Sequence, residues 1–414
     1  MKILYTVHQF YPKWYTGTEK FVLNSAKMQQ RFGNQVKVVA FGMDAPGKYD
    51  RVLGNVVYKE FIYQGVPVLE FRYRGKEGHL NEVLVDEELK EFAQFVIDSY
   101  GPDVIHAGHI MRTTEFVHYA RHAGIPYVMS LTDFWLICLR TIMLTPQNQI
   151  CSGCSNGEKC AQNCHISVDY CRTRYKQADE ILQGAYMVVS PSRFLASMFE
   201  KEFEGLKVRV INHGISTLYL RENPKVYGDK SSVIFCYAGS LTQHKGVHLL
   251  VKAFRELRST NAALQIYGSG PEDYVRRLRS LAEGDKRIQF KGIYCADEIA
   301  SVFDGCDVVI IPSTWYENYP LVLHESLISC VPVLASNIGG MSEKITDGFN
   351  GYTFRVGDAD DLRGKMQDIV DNPAILNYYK KNISGFLQPT VEQEASRYLK
   401  VFEELRKTGK NAGR

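Results

Sequence analysis

Short, largely apolar runs alternate with helical stripes along almost the entire chain, and this alternation constrains the fold more than any other feature. Residues 2–7, 36–41, 103–106, 127–130, 187–190 and 208–211 form a first series of runs. Residues 233–237, 264–267, 288–290, 308–311 and 331–335 form a second. Between most of them apolar residues recur at helical spacing, as at Phe21, Val22, Ser25, Met28 and Phe32, or at Val247, Leu250, Phe254 and Leu257. Strands that are apolar throughout and separated by helices require parallel sheets covered on both faces. Residues 42–85 are less regular, and a polar stretch over 221–232, with Pro224 and Gly228, reads as a linker. The pattern predicts an α/β chain of two Rossmann-like, doubly wound domains facing one cleft, residues 1–220 and 221–385. Ligands of such sheets bind at the carboxyl ends of the strands. A last stripe from Val391 to Leu405 predicts a carboxy-terminal helix within 386–414 that packs back towards the first domain.

Composition excludes several classes of function. A net charge of +3 is far too small for a protein whose main partner is nucleic acid. No run approaches the roughly 18 apolar residues of a membrane helix. The amino-terminal MKILYTVHQF is too short in its apolar part for a signal peptide and reads as a buried strand. The expected location is therefore cytoplasmic, where the ten cysteines would be thiols or metal ligands rather than disulfides. Arg72, Arg74 and Lys76 hint at an encounter with the inner face of a membrane, although a solvated charge run accounts for them better.

Three loops after strands of the second series carry polar or glycine-rich motifs. Residues 239–246 read GSLTQHKG, 268–271 read GSGP, and 317–325 read ENYPLVLHE. Pro320 suits a first helical turn, where its missing N–H would have no partner. A helix from Leu321 would then present free N–H groups as an anion site, with Glu317 in the loop ahead of it. Glu325 falls on the apolar arc of that helix, where a carboxylate is costly to bury without a partner. A ribose diol would satisfy it, and so would a structural lysine. Lys245, followed by Gly246 and placed after a parallel strand, could meet a diphosphate or remain a solvated side chain.

These motifs together resemble family 4 of the retaining glycosyltransferases, which have the GT-B fold. The family's two glutamates, with seven residues between them, match Glu317 and Glu325. Its Lys-Gly pair matches Lys245-Gly246, its Gly-x-Gly-Pro loop matches residues 268–271, and its paired glycines match Gly339-Gly340. The first half is similar more loosely, through Thr16-Gly17-Thr18-Glu19 and Asn212-His213-Gly214. The resemblance implies a nucleotide-sugar donor of UDP or GDP type, a glycan or lipid-linked glycan acceptor, and a reaction that requires no metal cofactor. It implies that Lys245 neutralises the diphosphate, Glu325 holds the ribose, and Glu317 contacts the donor sugar. Gly17 would allow close approach to the phosphates, and the backbone near Ile293 would read the base. Gly268, Asn318, Tyr319, Pro320 and Leu321 would complete the donor site.

Two positions depart from the family. Ser240 stands where members often carry an arginine, which leaves Lys245 more of the phosphate load. Thr132-Asp133 stands where many have His-Asp, so Asp133 becomes the candidate for catalytic sugar contact. His109 is either another such residue or a hydrogen-bonded structural one. Asp358-Ala359-Asp360 looks like a metal-binding triplet but reads better as a solvated helix start.

Six cysteines crowd residues 138–171. Cys151, Cys154, Cys160 and Cys164 have a spacing that suits a structural zinc site, with an iron–sulfur cluster or plain reduced thiols as alternatives. A nucleotide-sugar epimerase or hydrolase, or a non-catalytic partner in glycan assembly, would be the competing functions. The absence of G-x-G-x-x-G after the first strand argues against a dehydrogenase.

Overall fold

The computed structural model describes residues 1–75, 82–217, 220, 222–295, 298–384 and 388–411. Lys76, Arg221 and the 385/386 boundary lie outside the described residues. The chain forms two compact units, Met1–Gly214 with Val391–Arg414, and Ile215–Thr390.

The first unit runs β1 (Lys2–Val7), α1 (Gly17–Arg31), β2 (Gln35–Phe41), β3 (Arg51–Leu53), β4 (Val56–Tyr63), β5 (Val66–Tyr73), α2 (Lys90–Tyr100) and β6 (Val104–Ala107). It continues through α3 (Thr114–His122), β7 (Tyr127–Ser130), α4 (Glu158–Cys164), α5 (Val168–Gln183), β8 (Met187–Ser190), α6 (Arg193–Glu202) and β9 (Val208–Val210). Its sheet has the order β3-β4-β5-β2-β1-β6-β7-β8-β9. All pairs are parallel except β3–β4 and β4–β5. Those two antiparallel pairs occupy the stretch that looked irregular in sequence. Gln64 and Gly65, both at positive φ, join β4 to β5 in a two-residue turn whose twist suits a hairpin. Strand β4, next to the edge strand β3, alternates half-buried and exposed side chains towards its end, so it lacks a continuous apolar signature.

The second unit comprises β10 (Val233–Ala238), α7 (Val247–Arg255), β11 (Ala262–Tyr267), α8 (Glu272–Ala282), β12 (Ile288–Gly292), α9 (Ile299–Asp304), β13 (Val308–Ile311) and α10 (Leu321–Ile328). It ends with β14 (Val333–Ser336), β15 (Gly351–Phe354), α11 (Ala359–Asp371) and α12 (Ile375–Ile383). The six strands are all parallel, in the order β12-β11-β10-β13-β14-β15. Alternate residues of β10 serve opposite faces. Val233, Phe235 and Tyr237 pack with Leu250, Phe254, Leu362 and Met366, whereas Cys236 and Ala238 pack with Phe303, Leu323 and Leu327. The sheet is thus covered on both sides, which is why β10 reads as apolar throughout. Chain order reverses between β10 and β13, the switch point at which ligands of open parallel sheets bind.

Helix α13 (Val391–Asn411) belongs to the first unit. Tyr398, Val401, Phe402 and Leu405 join the core around β1, and Gln29 Nε2 donates to the Ala395 carbonyl at 2.8 Å. Asp358 caps α11 by accepting the Asp361 amide at 2.9 Å, so the Asp-Ala-Asp triplet is a helix start. The architecture, two parallel-sheet α/β units, is that of GT-B.

Candidate active site

At the switch point of the second unit, the loops after β10, β11, β13 and β14 are held together by backbone. Leu241 N donates to Ser269 O at 2.8 Å, and Thr314 N donates to His244 O at 2.8 Å. Glycine makes these approaches possible. A Cβ on Gly268 would lie 1.8 Å from Gly239 O, and one on Gly246 would lie 1.8 Å from Pro312 O. Gly246 also has φ +71, a conformation strained for any other residue. Gly340 N donates to Glu317 O at 2.7 Å, and a Cβ there would lie 2.3 Å from Asn318 O. The paired glycines therefore let the β14 loop press against the backbone of residues 317–318.

This scaffold brings together two of the residues singled out in sequence. Lys245 ends a short 3-10 helix, Gln243–Lys245, and its Nζ lies 2.7 Å from Glu317 Oε1. Ser313 Oγ and Trp315 Nε1 donate to the same oxygen at 2.7 and 2.9 Å. Glu317 is buried at 5 % exposure. Burial alone would raise its pKa; the Lys245 charge, then the bonds from Lys245, Ser313 and Trp315, outweigh it and hold the carboxyl below its ordinary value. The Lys245 ammonium also sits 4.9 Å from the centroid of the Trp315 ring. Sequence reasoning missed Ser313 and Trp315. Their signal was position, four and two residues ahead of a carboxylate on a loop too short to turn them elsewhere.

Helix α10 starts immediately after this loop, with Pro320 as its N-cap and no side chain capping the first turn. Tyr319 stacks on His324, ring centroids 3.7 Å apart. Asn318, Tyr319, Pro320 and Leu321 are half-buried around the helix start, and Glu325 is buried on the helix. Burial, followed by the Glu325 charge, pushes the phenol of Tyr294, just after β12, upward. Ile293, just after β12, is 74 % exposed, and Ser240 is exposed after β10.

Gly17 and Asp133 belong to the first unit. Gly17 opens α1, behind Thr16, whose amide and hydroxyl both donate to Glu19 Oε2 at 2.6 Å. Asp133 follows β7; its Oδ1 accepts the Trp135 amide at 2.8 Å, and its Oδ2 lies 2.9 Å from His109 Nε2. The His109 ring is 4.2 Å from that of His8, a residue the sequence reading did not single out.

The proposed zinc ligands do not form a metal site. Among the described residues no group of three or more His, Cys, Asp or Glu side chains is placed to hold an ion. Cys154 Sγ instead donates to Glu202 Oε1 at 2.8 Å, and Cys151 Sγ donates to the Gly153 carbonyl at 3.4 Å. Cys160 and Cys164 lie on α4. Burial pushes the Cys160 thiol up to about 12, with the neighbouring thiols adding to it. The spacing suggested four ligands, but Cys154 is engaged by Glu202 and Cys151 by the Gly153 carbonyl.

Residues 221–385 match the family described as glycosyl transferases group 1. Among relatives, the chain is 26% identical over 182 residues to a lipopolysaccharide 1,2-N-acetylglucosaminetransferase of Salmonella typhimurium, covering 40% of this chain and 48% of that protein. It therefore spans about half the length of that relative. It is 25% identical over 365 residues to an uncharacterized glycosyltransferase of Methanocaldococcus jannaschii, covering 85% and 84% of the two chains. Among solved structures, Anabaena HepE in complex with UDP and glucose aligns with a TM-score of 0.68 at 18% identity, over 98% of this chain and 100% of the other. Sucrose-phosphate synthase from Thermosynechococcus elongatus aligns with a TM-score of 0.73 at 18% identity, over 98% and 99%. Described residues include no helix long and apolar enough to cross a membrane. The chain thus has the fold of the GT-B glycosyltransferases, and its residues 221–385 are similar in sequence to glycosyl transferases group 1.

Proposed function

We propose that this chain is a retaining glycosyltransferase of family 4 type, which moves a sugar from a UDP- or GDP-type donor to a glycan or lipid-linked glycan without a divalent metal. The observation that carries the reading is the Lys245–Glu317 pair at the switch point, directly ahead of the uncapped start of α10. Transfer breaks the bond from the anomeric carbon to the diphosphate and makes one to an acceptor hydroxyl, whose proton leaves with the diphosphate. Negative charge grows on the leaving group, and an ammonium plus a helix amino terminus stabilise it there. Glu317, held ionised, accepts hydroxyls of the donor sugar, and Glu325 accepts those of the ribose. Ser240 and Gly268 line the phosphate side, Asn318, Tyr319 and Leu321 supply backbone amides around Pro320, and Ile293 meets the base. Asp133 and Gly17 keep the roles of sugar contact and phosphate approach. The UDP bound by Anabaena HepE supports a uridine donor first.

The reaction takes place in the cytoplasm, at the inner face of the membrane where the acceptor is lipid-linked. Incubating the protein with UDP- and GDP-sugars and following the anomeric proton by NMR tests the reading. Release or transfer of the sugar with its configuration kept, abolished by Glu317→Gln, is expected. An inverted product, or undiminished turnover by that variant, would refute it.

A further inference from the structure

A cavity of about 470 Å³ opens in the first unit between the loop after β1, the loop after β2 and the faces of β4 and β5. That volume is within the roughly 300–1,000 Å³ of small-molecule sites. Trp14, Met43 and Phe61 give it apolar walls. Its charged lining is balanced, with Lys13 and Lys59 against Asp44 and Glu70. Lys59 Nζ lies 3.2 Å from Asp44 Oδ2 and 3.0 Å from Glu70 Oε1, and the Tyr49 hydroxyl donates to Glu70 Oε1 at 3.0 Å. Lys13 Nζ is 3.7 Å from Asp44. Gly42 makes the arrangement possible, since a Cβ there would lie 2.1 Å from the Tyr49 hydroxyl oxygen.

The occupant is limited by this chemistry. A wholly apolar ligand would strip water from three ion pairs and return nothing. An anion would meet the carboxylates, and a cation the lysines. A neutral ring with hydroxyls on its rim can donate to Asp44 and Glu70, accept from the lysines, and lay its C–H face on an aromatic wall. We infer that this cavity binds a neutral pyranose ring. Its natural occupant is then a sugar of the acceptor, an assignment that rests on the function proposed above.

Saturation-transfer NMR on the full chain tests the inference, with methyl β-D-glucopyranoside, methyl β-D-galactopyranoside and N-acetylglucosamine as neutral probes and glucuronate as the charged contrast. Transfer to at least one neutral sugar is expected, weakened about threefold to tenfold by Phe61→Ser. Met43→Arg, at an exposed lining position that does not endanger folding, is expected to weaken it too. Transfer to none of the three, transfer that survives both substitutions, or glucuronate binding as well as the neutral sugars overturns the assignment. Thermal stabilisation by UDP or GDP is read separately and depends on the second unit. Its loss would count against the proposed donor site and leave the cavity result standing.

Discussion

Lys245 Nζ and Glu317 Oε1 are 2.7 Å apart, although 72 residues separate them in the chain. The ammonium expected to meet a diphosphate and the carboxylate expected to meet a sugar are therefore one ion pair before any ligand arrives. An incoming diphosphate has to compete with Glu317 for that charge.

Removing the competitor should therefore strengthen nucleotide binding while destroying turnover. Glu317→Gln keeps the shape and frees the ammonium, so UDP should bind more tightly by about 1 kcal/mol, or about fivefold. Sugar release should fall by about a hundredfold or more. Calorimetric titration with UDP beside a turnover assay measures both. Weaker UDP binding by the variant would show that Glu317 helps to hold the nucleotide.

The same pair sets an acid limit on stability. The folded-state pKa of Glu317 lies below the ordinary glutamate value. Its stabilising contribution is therefore complete above that value and is lost as pH falls through the depressed folded-state value. Lys245→Met removes the largest downward influence while leaving Ser313 and Trp315 in place. The acid unfolding midpoint of the variant, followed by circular dichroism, should move to higher pH. An unchanged midpoint would mean that the two hydroxyl and indole donors alone keep the carboxylate charged.

Glycine at 246 is required by geometry rather than by flexibility. Its φ of +71 and the 1.8 Å approach of a Cβ to Pro312 O predict that Gly246→Ala destabilises the fold by about 2 kcal/mol or more. Gly364, inside α11 with nothing within 4 Å of a Cβ, is the control. Gly364→Ala should be neutral or stabilising by about 0.5–1 kcal/mol. Urea unfolding of the two variants should move in opposite directions, and a shared direction would contradict the account.

How legible these features were depended on whether their signal is local. The all-apolar runs of β10 and β13 named their own strands because both faces of each are covered. Pro320 and the two glutamates marked α10 and its loop because capping and burial act within a few residues. Strand β4 was hidden because its turn uses Gln64-Gly65 in place of the commoner Asn-Gly, and its outer residues alternate in burial. The Lys245–Glu317 bond was invisible, since nothing at either position records a partner 72 residues away. The cysteines erred the other way. Their spacing resembled a ligand set, but Glu202, from α6, takes Cys154 out of it.

Thiol reactivity should follow that arrangement. Cys295 is exposed, whereas Cys154 is buried against Glu202, where burial and then the carboxylate push its thiol upward. Brief alkylation with iodoacetamide at neutral pH, mapped by mass spectrometry, should mark Cys295 well before Cys154. Early modification of Cys154 would mean that the contact opens in solution.

His109 and Asp133 provide the last test. The Met111 amide donates to His109 Nδ1 at 3.2 Å, so that nitrogen is unprotonated and the proton resides on Nε2. Nε2–H then donates to Asp133 Oδ2, while the Trp135 amide holds Oδ1. Asp133 is thus fixed by two neutral donors, with 31% of its side chain still exposed for a ligand. His109→Leu removes one donor and should lower kcat/KM for sugar release about tenfold, the worth of one hydrogen bond to a charged group. His109→Gln, which still carries an N–H donor, should recover most of that loss. Thermal unfolding of the two variants separates orientation from stability. If Leu and Gln lose activity equally at similar melting temperatures, His109 fills space beside Asp133 and does not orient it.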